Sequence, residues 1–373
     1  MLQWFSHPSS HELLIYAHNE GVVDQQTPRP ARRSRSAGRP TLDQVAERAG
    51  VGRGTVSRVV NGSPQVSNEA REAVQKAIEE LGYVPNRAAR ALVTQRTDSV
   101  ALVVSESGDR LFGEPFFAGV VRGISSVLSE TQLQLWLAMA QTPAERERVE
   151  HHLTSQHVDG VMLLSLHDAD PLPALLEKRG LPTVLGGRPA AMLHEDVAVA
   201  YVDADNEGGA RSAVEHLLTL GRRRVAVIAG PQDMAVGVAR LAGYREALEA
   251  AGVAHDELLV GYGDFREAGG EAAMRQLLAD RPDIDAVFAA SDLMAAGAIR
   301  VLRELGRRVP DDVAVVGFDD SVIARQTDPP LTTVHQPVEA MGREMARLLL
   351  ARIGGAEASS IMVATHLVRR ASA

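Results

Sequence analysis

Between Gly50 and Gly62 lies a stretch whose residue types could do chemistry on a polyanion: Arg53-Gly-Thr-Val-Ser-Arg-Val-Val-Asn-Gly62. It carries two arginines and no acid. Val56, Val59 and Val60 recur at helical spacing, which predicts a helix from about Arg53 to Val60 with one apolar face. The other face presents Arg53, Gly54, Thr55, Ser57 and Arg58. Arginine can bond two acceptors at once on a guanine edge, and small hydroxyl residues suit phosphate oxygens or mixed contacts. A short core helix would account for the valines but not for the missing acids or the Asn61-Gly62 turn.

Other candidate groups are scattered. Arg240, Ser291 and the acid pair Asp319-Asp320 fall near predicted strand or helix ends. Adjacent acids on an extended chain diverge, and no general base or metal set accompanies them, so hydrolytic chemistry is not indicated. Gly261-Tyr-Gly263 is no phosphate loop, because no helix with Lys-Ser/Thr follows. His151-His152 lacks a ligand set and reads as a surface pair. No nucleophile elbow occurs. The sequence therefore indicates no enzyme, no cofactor and no metal.

The elements that would position these residues begin at Thr41. Thr41-Leu-Asp-Gln44 is a capping box, in which the threonine oxygen accepts from a backbone N–H while the glutamine reaches back. Leu42, Val45, Ala46 and Ala49 mark one helical face, and Gly50 stops the helix. After the turn Asn61-Gly-Ser-Pro64, Ser67 caps a third helix that ends at Gly82. Three short helices with a tight first turn predict an all-α helix-turn-helix domain over 39–84. Residues 1–38 lack periodicity and read as a disordered basic extension, a dispensable tail rather than an arm making loose phosphate contacts. Residues 85–97 hold a short alanine-rich helix and linker, Pro85 to Leu92 at its centre, below the length at which helices stand alone.

From residue 98 to 373 the pattern changes to short apolar strands alternating with amphipathic helices. The strands are Val100–Val104, Gly160–Leu164, Pro182–Leu185, Val225–Ile228, Ala286–Ala289 and Val313–Val316, with helices such as Gly208–Leu220 and Arg240–Ala251 between them. This predicts parallel, doubly wound α/β sheets, and the length favours two lobes over one sheet. A ligand would sit beyond the carboxyl ends of the strands, in the crevice.

Bulk properties agree. The net charge is −9, yet residues 1–96 hold 13 Lys+Arg against 9 Asp+Glu, and the remainder 26 against 39. A basic end on an acidic body suits a chain whose first part alone meets a polyanion. Cysteine is absent, which removes disulfides and thiolate metal sites and fits a reducing cytoplasm. No apolar run approaches the roughly 18 residues that span a bilayer.

The motifs in their order resemble the LacI/GalR repressor family. Thr41-Leu-Asp-Gln-Val-Ala-Glu-Arg-Ala-Gly-Val51, Thr55-Val-Ser-Arg-Val-Val-Asn-Gly62, Val66-Ser67 and Gly82-Tyr-Val-Pro-Asn86 are similar to its DNA-binding head. Pro115-Phe-Phe117, Arg240-Leu-Ala-Gly-Tyr244, Ser291-Asp292, Val315-Val-Gly-Phe-Asp-Asp320, Pro329-Pro-Leu-Thr-Thr-Val334 and Leu367-Val-Arg-Arg370 are similar to its body. The resemblance runs from about Thr41 to the end. It implies a helix-turn-helix head joined to a two-lobed core like the type I periplasmic binding proteins.

By that resemblance Arg58 reads a base, Thr41, Thr55, Ser57 and Asn61 make groove and phosphate contacts, and Arg53 and Gly54 select the half-site. Leu92 matches a leucine that wedges between central base pairs from the minor groove, with Asn86 and Ala89 beside it. Glu106, Phe116, Arg240, Ser291 and Asp319 match effector-contacting positions. Two departures stand out. Gly52 replaces the usual serine ahead of the recognition helix. Gly186-Gly-Arg188 lacks the acid that many relatives carry before the arginine.

The resemblance thus implies a cytoplasmic repressor, nucleoid-associated when bound to DNA. It would act as a homodimer on a pseudo-palindromic, double-stranded operator, under control of a small carbohydrate effector, with no membrane partner. The alternatives are a transporter's solute-binding module, which shares the two-lobed fold, or a sugar-acting enzyme.

Overall fold

In the computed structural model the residues described are 40–84, 96–155, 157–167, 170–188, 199–357 and 359–373. The basic extension 1–38 and the hinge positions Asn86, Ala89 and Leu92 lie outside them. The chain divides into two compact units, Met1–Pro85 and Asn86–Ala373.

In the first unit, α1 (Leu42–Ala49), α2 (Arg53–Val60) and α3 (Asn68–Leu81) enclose a small core. Val45, Val56 and Val74 are fully buried, with Ala77 and Tyr83 beside them. Each such valine contributes about 1.5–3 kcal/mol by leaving water. The capping box is present: Thr41 Oγ1 accepts from the Gln44 N–H, and Gln44 Oε1 accepts from the Thr41 N–H at 2.8 Å. Gly50 closes α1 in the left-handed region (φ 67°), where a side chain would be strained. Gly82 does the same for α3. Ser67 caps α3 by accepting from the Ala70 N–H, whereas Gly52 gives α2 no side-chain cap.

The second unit holds two six-stranded sheets. One has the strand order β11-β5-β4-β3-β1-β2 and the other β12-β10-β9-β8-β6-β7. The first lobe's strands are β1 (Ser99–Val104), β2 (Gln134–Met139), β3 (Gly160–Leu164), β4 (Thr183–Gly186), β5 (Ala200–Ala204) and β11 (Ile361–Val363). The second lobe's are β6 (Val225–Ala229), β7 (Val260–Tyr262), β8 (Ala286–Ala289), β9 (Ala314–Asp319), β10 (Thr332–His335) and β12 (His366–Val368). Separate apolar clusters fill both faces of each sheet. One pairing departs from the all-parallel expectation: β12 runs antiparallel to β10. It follows β11 after two residues and enters its sheet from the opposite lobe, so its direction is set by that short link.

The chain crosses between lobes three times. The passages are from β5 into the helix Asn206–Thr219, from β10 into the helix Val338–Ile353, and from β11 to β12. The last helix of the first lobe therefore comes from sequence that follows the whole second sheet. It packs backbone to backbone on the helix Pro115–Leu128: a Cβ on Gly123 would overlap the Glu339 carbonyl, and one on Gly342 the Val120 carbonyl. Only glycine permits that approach.

Candidate functional site

Two sets of side chains carry the chemistry, and each is built by its own unit. On α2, Val56 is fully buried and Val59 nearly so, while Arg53, Gly54, Arg58 and Asn61 are exposed and Thr55 and Ser57 half-buried. Val60, expected inward, is only half-buried at the helix end. Among the described residues no ion pair engages Arg58. Arg53 has only a long contact to Asp43 (3.6 Å) between two exposed side chains. Asn61 Nδ2 donates to Ser57 Oγ (3.4 Å) and closes the helix end. The front of α2 thus offers free donors on a helix anchored from behind. Thr41 spends its hydroxyl on the cap of α1, with Oγ1 3.3 Å from Gln44 Oε1.

The second set lines a cleft between the two lobes of the core, an empty space of about 980 Å³ that opens to solvent. Its wall is made by the carboxyl ends of the parallel strands, where side chains of several elements converge. Phe116, Arg240, Ser291 and Asp319 all reach this wall. Glu106 stands one step back, bonded to two residues of that wall, Arg110 and Ser165. Its buried carboxylate accepts from Arg110, one turn further along, and from Ser165 Oγ (2.7 Å), and His167 Nε2 lies 3.6 Å away. Those partners draw it behind the wall.

Arg240 is the centre of the second lobe's contribution and is 3% exposed. Its Nε donates to Asn206 Oδ1 (3.0 Å), one terminal nitrogen to the Ala290 carbonyl (2.6 Å) and Asp319 Oδ1 (3.3 Å), and the other to Gln336 Oε1 (2.8 Å). The guanidinium also lies 3.6 Å from the Phe318 ring centre. Burial pulls its pKa down, and Asp319 opposes that. Because Asn206 and Gln336 stand in two of the three crossovers, Arg240 ties the hinge to the ends of β8 and β9. Ser291 is likewise engaged: it caps the helix Asp292–Glu304 through the Met294 N–H (3.2 Å) and donates to the Phe265 carbonyl (3.4 Å).

Asp319 adopts φ 112° and Asp320 φ 52°, a costly pair of conformations for non-glycine residues. Their side chains diverge: Asp319 meets Arg240, while Asp320 accepts from Arg370 and pairs with His335 (3.0 Å). Burial pushes the Asp319 carboxyl upward against the pull of Arg240. It pushes Asp292 up further, with the Asp319 charge adding to the effect, although Thr333 and the Ser321 N–H bond to it. Glu114 and Asp203 are raised by the same desolvation, with Arg110 and Arg240 respectively opposing.

Several cleft residues escaped sequence reasoning: Arg110, Glu114, Asp203, Phe265 and Gln336. Phe265 is in the left-handed region (φ 66°), its ring flanked by Arg110 (5.9 Å) and Arg240 (6.0 Å). It follows Gly261-Tyr-Gly263, which forms part of edge strand β7 and its exit. The glycines there marked a turn that presents an aromatic. His152, read as half of a surface pair, stacks between Trp136 (4.3 Å) and His157 (4.7 Å). Acids and amides between aromatic and aliphatic walls suit a ligand with many hydroxyls and apolar faces.

Residues 41–86 match the family model "Bacterial regulatory proteins, lacI family", and 214–373 match "Periplasmic binding protein-like domain". Over 336 residues the chain is 60% identical to the HTH-type transcriptional regulator CelR of Thermobifida fusca, covering 90% of this chain and 98% of that one. The chain belongs to the lacI family. It is 35% identical to the HTH-type transcriptional repressor PurR of Escherichia coli over 89% of its length and 96% of the relative's. Among solved structures of the lacI family, it is similar to a transcriptional regulator CelR–cellobiose complex (58% identity, 90% of this chain and 100% of that chain, TM-score 0.72). It is also similar to the lac repressor dimer bound to operator and the anti-inducer ONPF (29% identity, 90% and 99%, TM-score 0.78). A lacI-family chain with this head is a DNA-binding transcriptional regulator, and its relatives are regulators rather than enzymes. No helix among the described residues is long and apolar enough to cross a membrane.

Proposed function

We propose that the chain is a repressor that binds a pseudo-palindromic operator as a homodimer and is switched by a neutral sugar of the cellobiose type in the interlobe cleft. The observation that carries this reading is α2, whose valines hold it from behind while Arg58 stands free in front. Arg58 reads a guanine edge, Arg53 and Gly54 choose the half-site, and Thr41, Thr55, Ser57 and Asn61 set the register on the backbone. Asn86, Ala89 and Leu92, by family resemblance, enter the minor groove. The protein acts in the cytoplasm, at the nucleoid when DNA-bound.

In the cleft, Phe116 and Phe265 stack on sugar faces, and Glu114, Asp203 and Asp319 accept from hydroxyls. Ser291 and Arg240 hold that surface in place. A complex of cellobiose with a relative 58% identical supports this ligand class. To act as a switch the sugar must bind one arrangement of the lobes better than the other. The test is a gel shift on the upstream intergenic DNA with and without cellobiose. Sequence-selective retardation that changes with cellobiose is expected. Absence of selective retardation would favour a transport binding module, and sugar turnover lost in Asp319→Asn would favour an enzyme.

A further inference from the structure

His167 follows β3 in the first lobe, and Asp233 lies in the turn between β6 and the helix Ala235–Ala250 of the second. Their chain neighbours Leu166 and Met234 both line the cleft. His167 Nδ1 lies 2.7 Å from Asp233 Oδ2, and its Nε2 lies 3.6 Å from Glu106 Oε1. Among the described residues this is the side-chain hydrogen bond that joins the lobes away from the three crossovers. We propose that His167 and Asp233 form a latch at the rim of the cleft, which favours the closed arrangement of the lobes and so sets how tightly a ligand is held.

The two halves of the latch differ in stiffness. On the first lobe, Glu106 is 7% exposed and fixed by Arg110 and Ser165, so the ring it holds is pre-positioned. On the second, Asp233 is 61% exposed on a turn, free to release. A ring between two carboxylates is driven to its cationic form, and its contacts with Glu106 and Asp233 carry its pKa up to about 9. Such a contact is worth a modest factor in an equilibrium, which is the scale a reversible closure needs. Apparent affinity falls in proportion to the closed fraction when ligand binds the closed form. Loss of the latch is therefore expected to weaken ligand binding about three- to tenfold.

The effect on ligand rests on the cleft being the effector site; the effect on lobe separation does not. The chain has no cysteine, so Arg148→Cys on the exposed face of Pro143–Thr154 and Ala268→Cys on Glu267–Asp280 give a unique spin-label pair, one label per lobe. Pulsed EPR distances on the full chain would be compared for the parent, His167→Gln, Asp233→Asn and Asp233→Glu, alongside cellobiose titration. The latch predicts that Gln and Asn each broaden the ligand-free distances and weaken cellobiose binding. Glu restores both, and the His167→Gln/Asp233→Asn double variant is no worse than either single variant. Distances unchanged in Asp233→Asn would overturn the proposal, whatever cellobiose does. Distances that shift while cellobiose fails to bind even the parent would uphold the latch and sink the sugar assignment instead.

Discussion

Arg240→Ala tests whether that arginine serves the ligand or the chain. Its donors are spent on Asn206, the Ala290 carbonyl, Asp319 and Gln336, and its plane covers Phe318. Truncation leaves three neutral acceptors and one carboxylate without their donor in a region that is 3% exposed at the arginine. Each orphaned acceptor costs about 1–3 kcal/mol, but such losses do not sum, because neighbours relax and water enters. Breaking a buried pair from one side costs about 3–5 kcal/mol, which we take as the net figure. Against a total stability of about 5–15 kcal/mol that is a large fraction. At about 2–4 °C per kcal/mol for a domain near this size, the thermal midpoint of the core should fall by about 6–20 °C. Circular dichroism melting of the full chain measures it. Arg240→Lys should recover little, since a point charge cannot replace a fork that serves four acceptors. A midpoint within a degree of the parent, coupled with lost response to cellobiose, would refute the reasoning and assign those donors to the ligand.

Arg58→Ala should lose about 1–3 kcal/mol of operator affinity and relax discrimination at one base pair; unchanged affinity in a gel-shift titration would remove Arg58 from the reading set. Gly52→Ser should stabilise the head by a few tenths of a kcal/mol, because the site is extended, nothing lies within 4 Å of the added Cβ, and α2 lacks a side-chain cap. Urea unfolding that moves the other way would show that the serine misses the cap. For the His167 contact, faced by Glu106, Asp233 and, through Glu106, Arg110, the folded pKa is raised. Its contribution is thus fully present below the ordinary histidine value of about 6.5 and is lost as pH rises through about 9. Opening the lobes takes Asp233 from the ring but leaves Glu106 beside it, so cellobiose affinity should fall only towards the upper end of that window in the parent and stay flatter in His167→Gln; parallel profiles would remove the ring as the cause.

The head was legible almost residue by residue, because its signals are local: Thr41, Gly50, Ser67 and Gly82 each fix a helix end through their own bonds or dihedral. In the core, strands buried on both faces stood out as continuous apolar runs. Those that did not are β2, half-exposed at an edge, β5, which alternates, β10, which begins Thr-Thr, and the three-residue β7, β11 and β12. Helix starts shifted where the cap left no mark. Ala235–Ala250 begins five residues ahead of Arg240, on a Met234 that makes no side-chain bond. Single-residue positions in the cleft came from motif order, and their contacts could not. Glu106 is drawn back by Arg110, four residues on, and Phe265 enters from a turn whose glycines give no sign of which side chain it presents.

The interleaved chain order fixes when each part can be finished on the ribosome. The three-helix head has all its residues by Tyr83. The first lobe, in contrast, still lacks the helix Val338–Ile353 and strand β11 when most of the second has been made. The second waits in turn for β12 and for Ser372, whose hydroxyl donates to the Val315 carbonyl and accepts from the Thr332 N–H. Translation thus completes the three-helix head well before it completes either lobe, and a stop codon anywhere in the last third would leave at least one lobe unfinished.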